Sequence, residues 1–159
     1  MLIILDGDGT LWDGDLLAGY LQVPLKVVDE DTVEDFNGRR VTLRKETREV
    51  LKRLKEKEIY VALASQNTEI PVISVLRRLK ISKYFNFLEL GFNEKDVMVL
   101  NILEKFRKKG RDTGKVFFLD DFEYNIKMVK SNPDLEIVIC INTTELESLL
   151  DIFKLIKRE

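Results

Sequence analysis

Histidine is absent from the 159 residues of this chain, and cysteine occurs once. Without histidine, the chain cannot form a Ser-His-Asp or Cys-His catalytic group, a histidine-ligated zinc site or a phosphohistidine. A single cysteine, Cys140, also excludes an intrachain disulfide and a thiolate metal cluster. It lies in the apolar run Val138–Ile141, and no phosphate-binding loop ending in arginine follows it. We therefore interpret it as a structural residue rather than a nucleophile.

Long hydrophobic runs and an excess of one charge are also missing. No apolar run approaches the roughly 20 residues of a membrane span, and Asp6 interrupts the first run too early for a signal peptide. We predict a cytoplasmic protein with no membrane partner. The 28 acidic and 26 basic residues give a net charge of −2, which argues against a dedicated nucleic-acid partner. Only the local pairs Arg39-Arg40 and Arg44-Lys45 keep that partner open.

Short apolar runs predict strands that are buried on both faces of a parallel sheet. They are continuous, rich in β-branched and aromatic residues, and too short for helices. The runs are Leu2–Leu5, Ile59–Leu63, Val116–Leu119 and Ile137–Ile141, with Phe85–Leu88 as a weaker fifth. Helical patterns separate them at residues 45–57, 69–80, 95–109 and 122–131. This alternation predicts a doubly wound, mostly parallel α/β sheet in a single domain, residues 1–159.

Two segments depart from this rhythm. Residues 13–44 contain the turn-forming pair Asn37-Gly38 and scattered valine and leucine. We predict an irregular flap there, with room for a small hairpin, because about 30 residues are too few for an independent domain. At the other end, Thr144 followed by Glu147 predicts a capping box that starts the last helix.

Polar residues stand where three of the predicted strands end. Asp6 follows the first strand, Ser65 the second, and Asp120 and Asp121 the third. The carboxyl ends of parallel strands share one edge of a sheet, where ligands bind. We therefore expect these four side chains to converge.

The first of these strand ends continues as Asp6-Gly7-Asp8-Gly9-Thr10-Leu11. Its glycines allow a tight turn, so that Asp8 can reach the same small volume as Asp6. Carboxylates packed this closely repel each other unless a cation or a proton offsets the repulsion. Oxygen ligands without histidine or thiolates favour Mg²⁺. A simple Asp/Gly turn is the alternative, and the position directly after a buried strand argues against it.

This hexapeptide resembles the DxDxT signature of the haloacid dehalogenase (HAD) superfamily. Further motifs of that superfamily have counterparts here in the right order, and the whole set covers residues 6–125. These counterparts are Ser65 within Ala62–Asn67, Lys95 within Gly91–Lys95, and the pair Asp120-Asp121 followed by Asn125. Together the segments are most similar to the small magnesium-dependent phosphatases of the superfamily.

The resemblance implies a Mg²⁺-dependent phosphatase that hydrolyses phosphate monoesters through an aspartyl-phosphate. Asp6 would be the nucleophile, and Asp8 the general acid and then the general base. The implied metal ligands are Asp6, the backbone carbonyl of Asp8, and Asp121. Asp120, Asn125 and Thr10 would be auxiliary residues.

The resemblance also implies contacts to the substrate phosphate from Ser65, Gln66 and Lys95. Gln66 stands where related phosphatases often carry a basic residue, so its contact would be weaker or the substrate choice different. Another basic residue, such as Lys83, stays an alternative to Lys95. Trp12 follows the first motif and would either line the entrance or pack inside.

The spacing of the motifs leaves no room for a full cap domain, which implies an open cleft. Such a cleft admits a phosphate on a protein side chain, a sugar or another small ester. A phospho-accepting signalling module, or a phosphate-binding module without turnover, is the alternative. Receiver domains use similar residues around Mg²⁺, but their acidic pair follows the first strand. Here the acidic pair comes last, and Asp8 supplies the acid that turnover needs.

Overall fold

The computed structural model describes residues 1–111 and 114–158. Strands and helices alternate along most of this length. The strands are β1 (Leu2–Leu5), β2 (Trp12–Gly14), β3 (Lys26–Val27), β4 (Thr32–Glu34), β5 (Arg40–Leu43), β6 (Tyr60–Ser65), β7 (Phe87–Leu90), β8 (Val116–Asp120) and β9 (Val138–Asn142). The α-helices are α1 (Thr47–Glu56), α2 (Glu69–Arg78), α3 (Lys95–Lys108), α4 (Glu123–Ser131) and α5 (Ile152–Arg158).

A five-stranded parallel sheet in the order β7-β6-β1-β8-β9 forms the centre of the fold. All four residues of β1 are fully buried, as its continuous apolar sequence predicts for a strand covered on both faces. The doubly wound α/β prediction is confirmed. The weak fifth run also forms a strand, which begins two residues later than predicted, at Phe87.

Successive residues of β1 point to opposite faces of this sheet, which divides the core into two layers. Ile3 and Leu5 belong to one apolar cluster, which includes Leu51 of α1. Leu2 and Ile4 belong to the other, with residues of α3 and α4. Each large side chain that is fully buried stabilises the fold by about 1.5–3 kcal/mol. This two-sided packing fixes the strand ends that carry the polar residues.

The predicted irregular flap is wrong in one respect, because its segment contains a second sheet. Strands β2, β5, β4 and β3 pair antiparallel in that order, and β4 and β5 form the small hairpin. Along β5, exposed and buried residues alternate, with Val41 and Leu43 inside. Strands of two to four residues are too short to give a clear periodic signal. We call residues 12–43 the insertion.

The predicted capping box at Thr144 and Glu147 is wrong. The Ser148 hydroxyl accepts a hydrogen bond from Leu150 N at 3.0 Å, and Asp151 accepts one from Ser148 N at 3.1 Å. The box therefore starts a short 3₁₀ turn that leads into α5. Among the described residues, no helix has the length and apolar character to cross a membrane.

Candidate active site

The loop after β1 places the first two aspartates. Asp6 N donates to Leu119 O at 2.9 Å, so the ladder between β1 and β8 extends to Asp6 and fixes its position. Gly9 has φ +80°, and a Cβ atom there would lie 2.3 Å from Asp121 Oδ2. Only glycine allows the loop to curl and the Asp121 carboxylate to come this close.

Lys95, the first residue of α3, is buried beside the nucleophile candidate. Its Nζ donates to Asp6 Oδ1 at 2.5 Å and to Ala64 O at 2.6 Å, and lies 3.3 Å from Asp120 Oδ2. Lys83, the alternative cation, lies elsewhere, over the ring of Tyr84. The structure thus brings Lys95, and not Lys83, to the strand ends.

Asp6, Asp120 and Asp121 form a compact acidic group. Each offers a carboxylate oxygen, and these oxygens lie within 4.8 Å of one another. Asn125 Nδ2 donates to Asp120 Oδ2 at 3.0 Å, and Thr10 Oγ1 donates to Asp121 Oδ1 at 3.4 Å. Lys95 alone cannot neutralise all three carboxylates when they ionise. The donor set, made of oxygen atoms only, fits Mg²⁺.

Burial dominates the electrostatics of these acids. It raises the pKa of Asp6 to about 7; Lys95 opposes the rise and Asp120 adds to it. Burial also raises the pKa of Asp121. Both carboxyls are thus reluctant to ionise among the protein groups alone, and a divalent cation would reverse both shifts.

The Asp8 carboxylate is held by nitrogen donors on both oxygens. Its Oδ1 accepts from Trp12 Nε1 at 3.1 Å and from Ala18 N at 2.9 Å. Its Oδ2 accepts from Asn67 Nδ2 at 2.5 Å. Trp12 is fully buried, so it packs inside and also fixes Asp8. Ala18 belongs to the insertion, which therefore helps to orient this carboxylate.

The residues at the end of β6 contact the protein itself, and Gln66 differs from the expected phosphate contact. Ser65 is buried, and its Oγ accepts from Asn67 Nδ2 at 2.8 Å. Gln66 Nε2 donates to Asn93 O at 3.0 Å, so its amide binds the protein's own backbone. No motif of the sequence predicts a role for Asn67. A polar residue two positions beyond a buried strand end was the only signal for it.

A cleft of about 360 Å³ contains the acidic group. The predicted site residues that line it are Asp6, Asp8, Gln66, Lys95, Asp120, Asp121 and Asn125. Ser65 and Thr10 do not line the cleft. Each contacts a residue that does, Ser65 through Asn67 and Thr10 through Asp121. Half-exposed Leu17 and Phe122 form an apolar rim.

The basic pairs that kept a nucleic-acid partner open are largely bound to the protein's own acceptors. Arg39 pairs with Asp35 at 2.7 Å, and Arg40 with Glu34 at 2.7 Å. Arg44 donates to Gly9 O. These guanidinium groups stabilise the insertion and the first loop, which weakens the case for a nucleic-acid patch.

Comparison with known families places this site in context. Residues 1–151 match the acid phosphatase family. The chain belongs to that family. A search of curated proteins finds no match.

Solved structures share the fold. The N-terminal part of a Bacteroides fragilis protein, which contains a phosphatase domain and is complexed with Mg, is 21% identical with a TM-score of 0.64. The match covers 97% of this chain but 39% of that one, so this chain spans well under half of that relative. A HAD-superfamily hydrolase from Ehrlichia chaffeensis is 16% identical, with a TM-score of 0.63, and the match covers 99% of this chain and 96% of that one. Membership of the acid phosphatase family and the fold shared with these structures agree with the resemblance to the HAD superfamily.

Proposed function

We propose that this chain is a phosphatase that depends on Mg²⁺ and hydrolyses phosphate monoesters through a phosphorylated Asp6. One observation carries the proposal. Asp6 stands at the end of the central strand, with Oδ1 anchored by Lys95 at 2.5 Å and with Asp120 and Asp121 within reach of the same ion. A carboxylate anchored through one oxygen can present the other to phosphorus in a fixed direction.

Mg²⁺ would be held by the carboxylates of Asp6 and Asp121 and by the backbone carbonyl of Asp8. Asp120, fixed by Asn125, would support these ligands. When bound, the ion supplies the positive charge that offsets the repulsion between a carboxylate nucleophile and a phosphate dianion.

The reaction proceeds in two steps that the two aspartates share. In the first, an Asp6 oxygen bonds to phosphorus, the bond to the ester oxygen breaks, and Asp8 gives its proton to the leaving oxygen. In the second, Asp8 takes a proton from water. The water oxygen then bonds to phosphorus, and Asp6 leaves as a carboxylate with release of inorganic phosphate. The hydrogen bonds from Trp12 and Ala18 hold Asp8 in place for both transfers.

The phosphate oxygens would be bound by Ser65 and Lys95. Lys95 adds its charge next to the attacked phosphorus, where negative charge develops. The Gln66 amide is committed to Asn93 O, so its predicted phosphate contact requires that this hydrogen bond break. We propose that Gln66 mainly shapes the wall of the cleft. The substrate phosphate would be carried by a protein side chain, a sugar or another small ester. A cytoplasmic location stays a prediction.

The test compares wild type with Asp6→Asn, which keeps the shape of the side chain but removes its nucleophile. We expect wild type to hydrolyse 4-nitrophenyl phosphate with Mg²⁺ and to lose this activity with a chelator. Asp6→Asn should be folded and inactive, whereas Asp134→Asn, which changes an exposed aspartate, should keep full activity.

Mass spectrometry of rapidly quenched enzyme should find phosphate on the peptide that contains Asp6. Full activity of Asp6→Asn would refute the mechanism. A long-lived phosphoprotein without release of phosphate would instead favour the signalling module.

A further inference from the structure

Asn67 joins the acid/base aspartate, the phosphate-binding serine and the insertion through one buried amide. Its Nδ2 donates to Asp8 Oδ2 at 2.5 Å and to Ser65 Oγ at 2.8 Å. Its Oδ1 accepts from Gly19 N at 2.9 Å. The residue is only 5% exposed, so these contacts are shielded from water and strengthened by the low local dielectric constant.

The orientation of this amide follows from its partners. The backbone N–H of Gly19 can only donate, so Asn67 must present its oxygen there and its two N–H groups to Asp8 and Ser65. The backbone of Asn67 is also held, because its N–H donates to Ser65 O at 2.9 Å and its carbonyl accepts from Gly91 N at 3.0 Å.

These contacts determine where the neighbouring hydrogens point. Because Ser65 Oγ accepts from Asn67, the hydrogen of the Ser65 hydroxyl is left to donate to another acceptor, such as a phosphoryl oxygen. On Asp8, Oδ1 accepts from two donors, Trp12 and Ala18, while Asn67 is the one donor to Oδ2 within residues 1–111 and 114–158. The oxygen with the spare lone pair, and hence the site for a transferable proton, is Oδ2.

We propose that Asn67 is a positioning residue for proton transfer. It holds Asp8 Oδ2 toward the leaving oxygen and turns the Ser65 hydroxyl toward the phosphate. This inference rests on the proposed function and deepens it, since no sequence motif of the site assigns Asn67 a role. Its contact with Gly19 also makes the insertion part of the proton-transfer apparatus.

Gly19 offers a second way to disturb the same network. A Cβ atom at this position would lie 2.6 Å from Asn67 Oδ1 and 2.8 Å from Thr68 N. Gly19→Ala therefore displaces the Asn67 amide without removing any polar group from the cleft.

The experiment measures kcat/KM for three phosphate monoesters whose leaving groups increase in basicity: 4-nitrophenyl, phenyl and methyl phosphate. This ratio reports the first step, in which Asp8 must protonate the leaving oxygen. We expect Asn67→Leu to lower kcat/KM for methyl phosphate by about 10²-fold, within the range of general acid catalysis. The loss for 4-nitrophenyl phosphate, which departs without a proton, should be about tenfold smaller.

Gly19→Ala should give a smaller loss with the same dependence on the leaving group. The matched control is Asn101→Leu, which removes an amide that donates to Glu89 at 2.8 Å on another part of the molecule. Its kcat/KM should stay at the wild-type value for all three esters.

An equal loss for all three esters in Asn67→Leu, or no loss, would overturn the inference. If Asn67→Leu does not fold by circular dichroism, Gly19→Ala and Asn67→Ser decide by the same criterion. The proposed function fails differently, through a wild type without Mg²⁺-dependent hydrolysis or an active Asp6→Asn.

Discussion

The central parallel sheet and the small sheet of the insertion are stabilised by different interactions. Every residue of β1 is fully buried, whereas both residues of β3 are exposed. The insertion depends on charged hydrogen bonds instead. Asp35, whose side chain is fully buried, accepts from the backbone of Gln22, Asn37 and Arg39 and from the Arg39 guanidinium. Apolar burial does not depend on pH, whereas the hydrogen bonds of an ionised carboxylate do.

The cleft lies where these two regions meet. Asp6 and Asp120 extend from strands of the central sheet, whereas Ala18 and Gly19 of the insertion contact Asp8 and Asn67. The proposed nucleophile, Asp6, therefore rests on the apolar central sheet. In our proposal, proton transfer depends on the insertion, so substitutions that affect one region without the other can separate the two contributions.

The largest expected effect is on the central sheet. Phe118→Ala removes a fully buried ring from β8 and should lower the free energy of unfolding by about 3–5 kcal/mol. Denaturant unfolding measures this change. Phe36→Ala is the matched control on the insertion, because that ring is 83% exposed. A comparable loss in both variants would show that burial does not separate the two regions.

The next largest effect on stability is expected in the insertion. Asp35→Asn keeps the shape of the side chain but leaves at least one of its donors without an acceptor, at a cost of about 1–3 kcal/mol. Hydrogen exchange should accelerate at the amides of Asn37 and Arg39 and stay slow in β1. Asp29→Asn, an exposed aspartate of the same segment, should change exchange much less. Acceleration in β1 as well would mean that the regions unfold together.

Acid should weaken the insertion through the same residue. Burial raises the pKa of Asp35, but the hydrogen bonds from Arg39 and the backbone amides outweigh it and hold the pKa at about 2. The unfolded value is about 3.9. The folded pKa is the lower one, so the stabilisation is present above about pH 4 and is lost as pH falls through about 2.

The stability difference between wild type and Asp35→Asn should therefore shrink from pH 4 to pH 2. The amide shifts of Asn37 and Arg39, followed by NMR, should titrate over that interval in wild type only. A midpoint near the unfolded value would mean that the ionised carboxylate does not hold the turn.

The smallest effect is expected from an exposed ion pair. Arg40→Gln breaks the contact with Glu34 on the outer side of the insertion, and we expect no resolvable change in the thermal midpoint, because exposed pairs gain little in water. A clear loss of stability that disappears in high salt would show that surface charge, and not only Asp35, stabilises this sheet.

The sequence predicted the parallel sheet and the convergence of the acids because both follow from long-range regularities. A run such as Val116–Leu119 is apolar throughout, and parallel topology then carries Asp6, Asp120 and Asp121 to one edge. The sheet of the insertion could not be predicted from the sequence, because β3 has only two residues. The stability of this sheet comes from contacts such as those of Asp35, which no periodicity encodes.

The capping box and the role of Asn67 could also not be predicted from the sequence. Thr144 with Glu147 satisfies the capping pattern as well as Ser148 with Asp151 does, and only packing selects between them. Asn67 was missed because its role depends on Asp8 and Gly19, which are distant in the chain. The position of a residue at a strand end can be inferred from its own segment, but its hydrogen-bond partners cannot.

Trp12, the only tryptophan of the chain, gives the protein an intrinsic optical reporter. Its indole N–H donates to Asp8, the carboxylate that we propose gives and takes the proton, and its ring is buried away from solvent. Tryptophan emission should therefore follow events at Asp8 during turnover, in unlabelled protein, on the millisecond scale of a stopped-flow mixer.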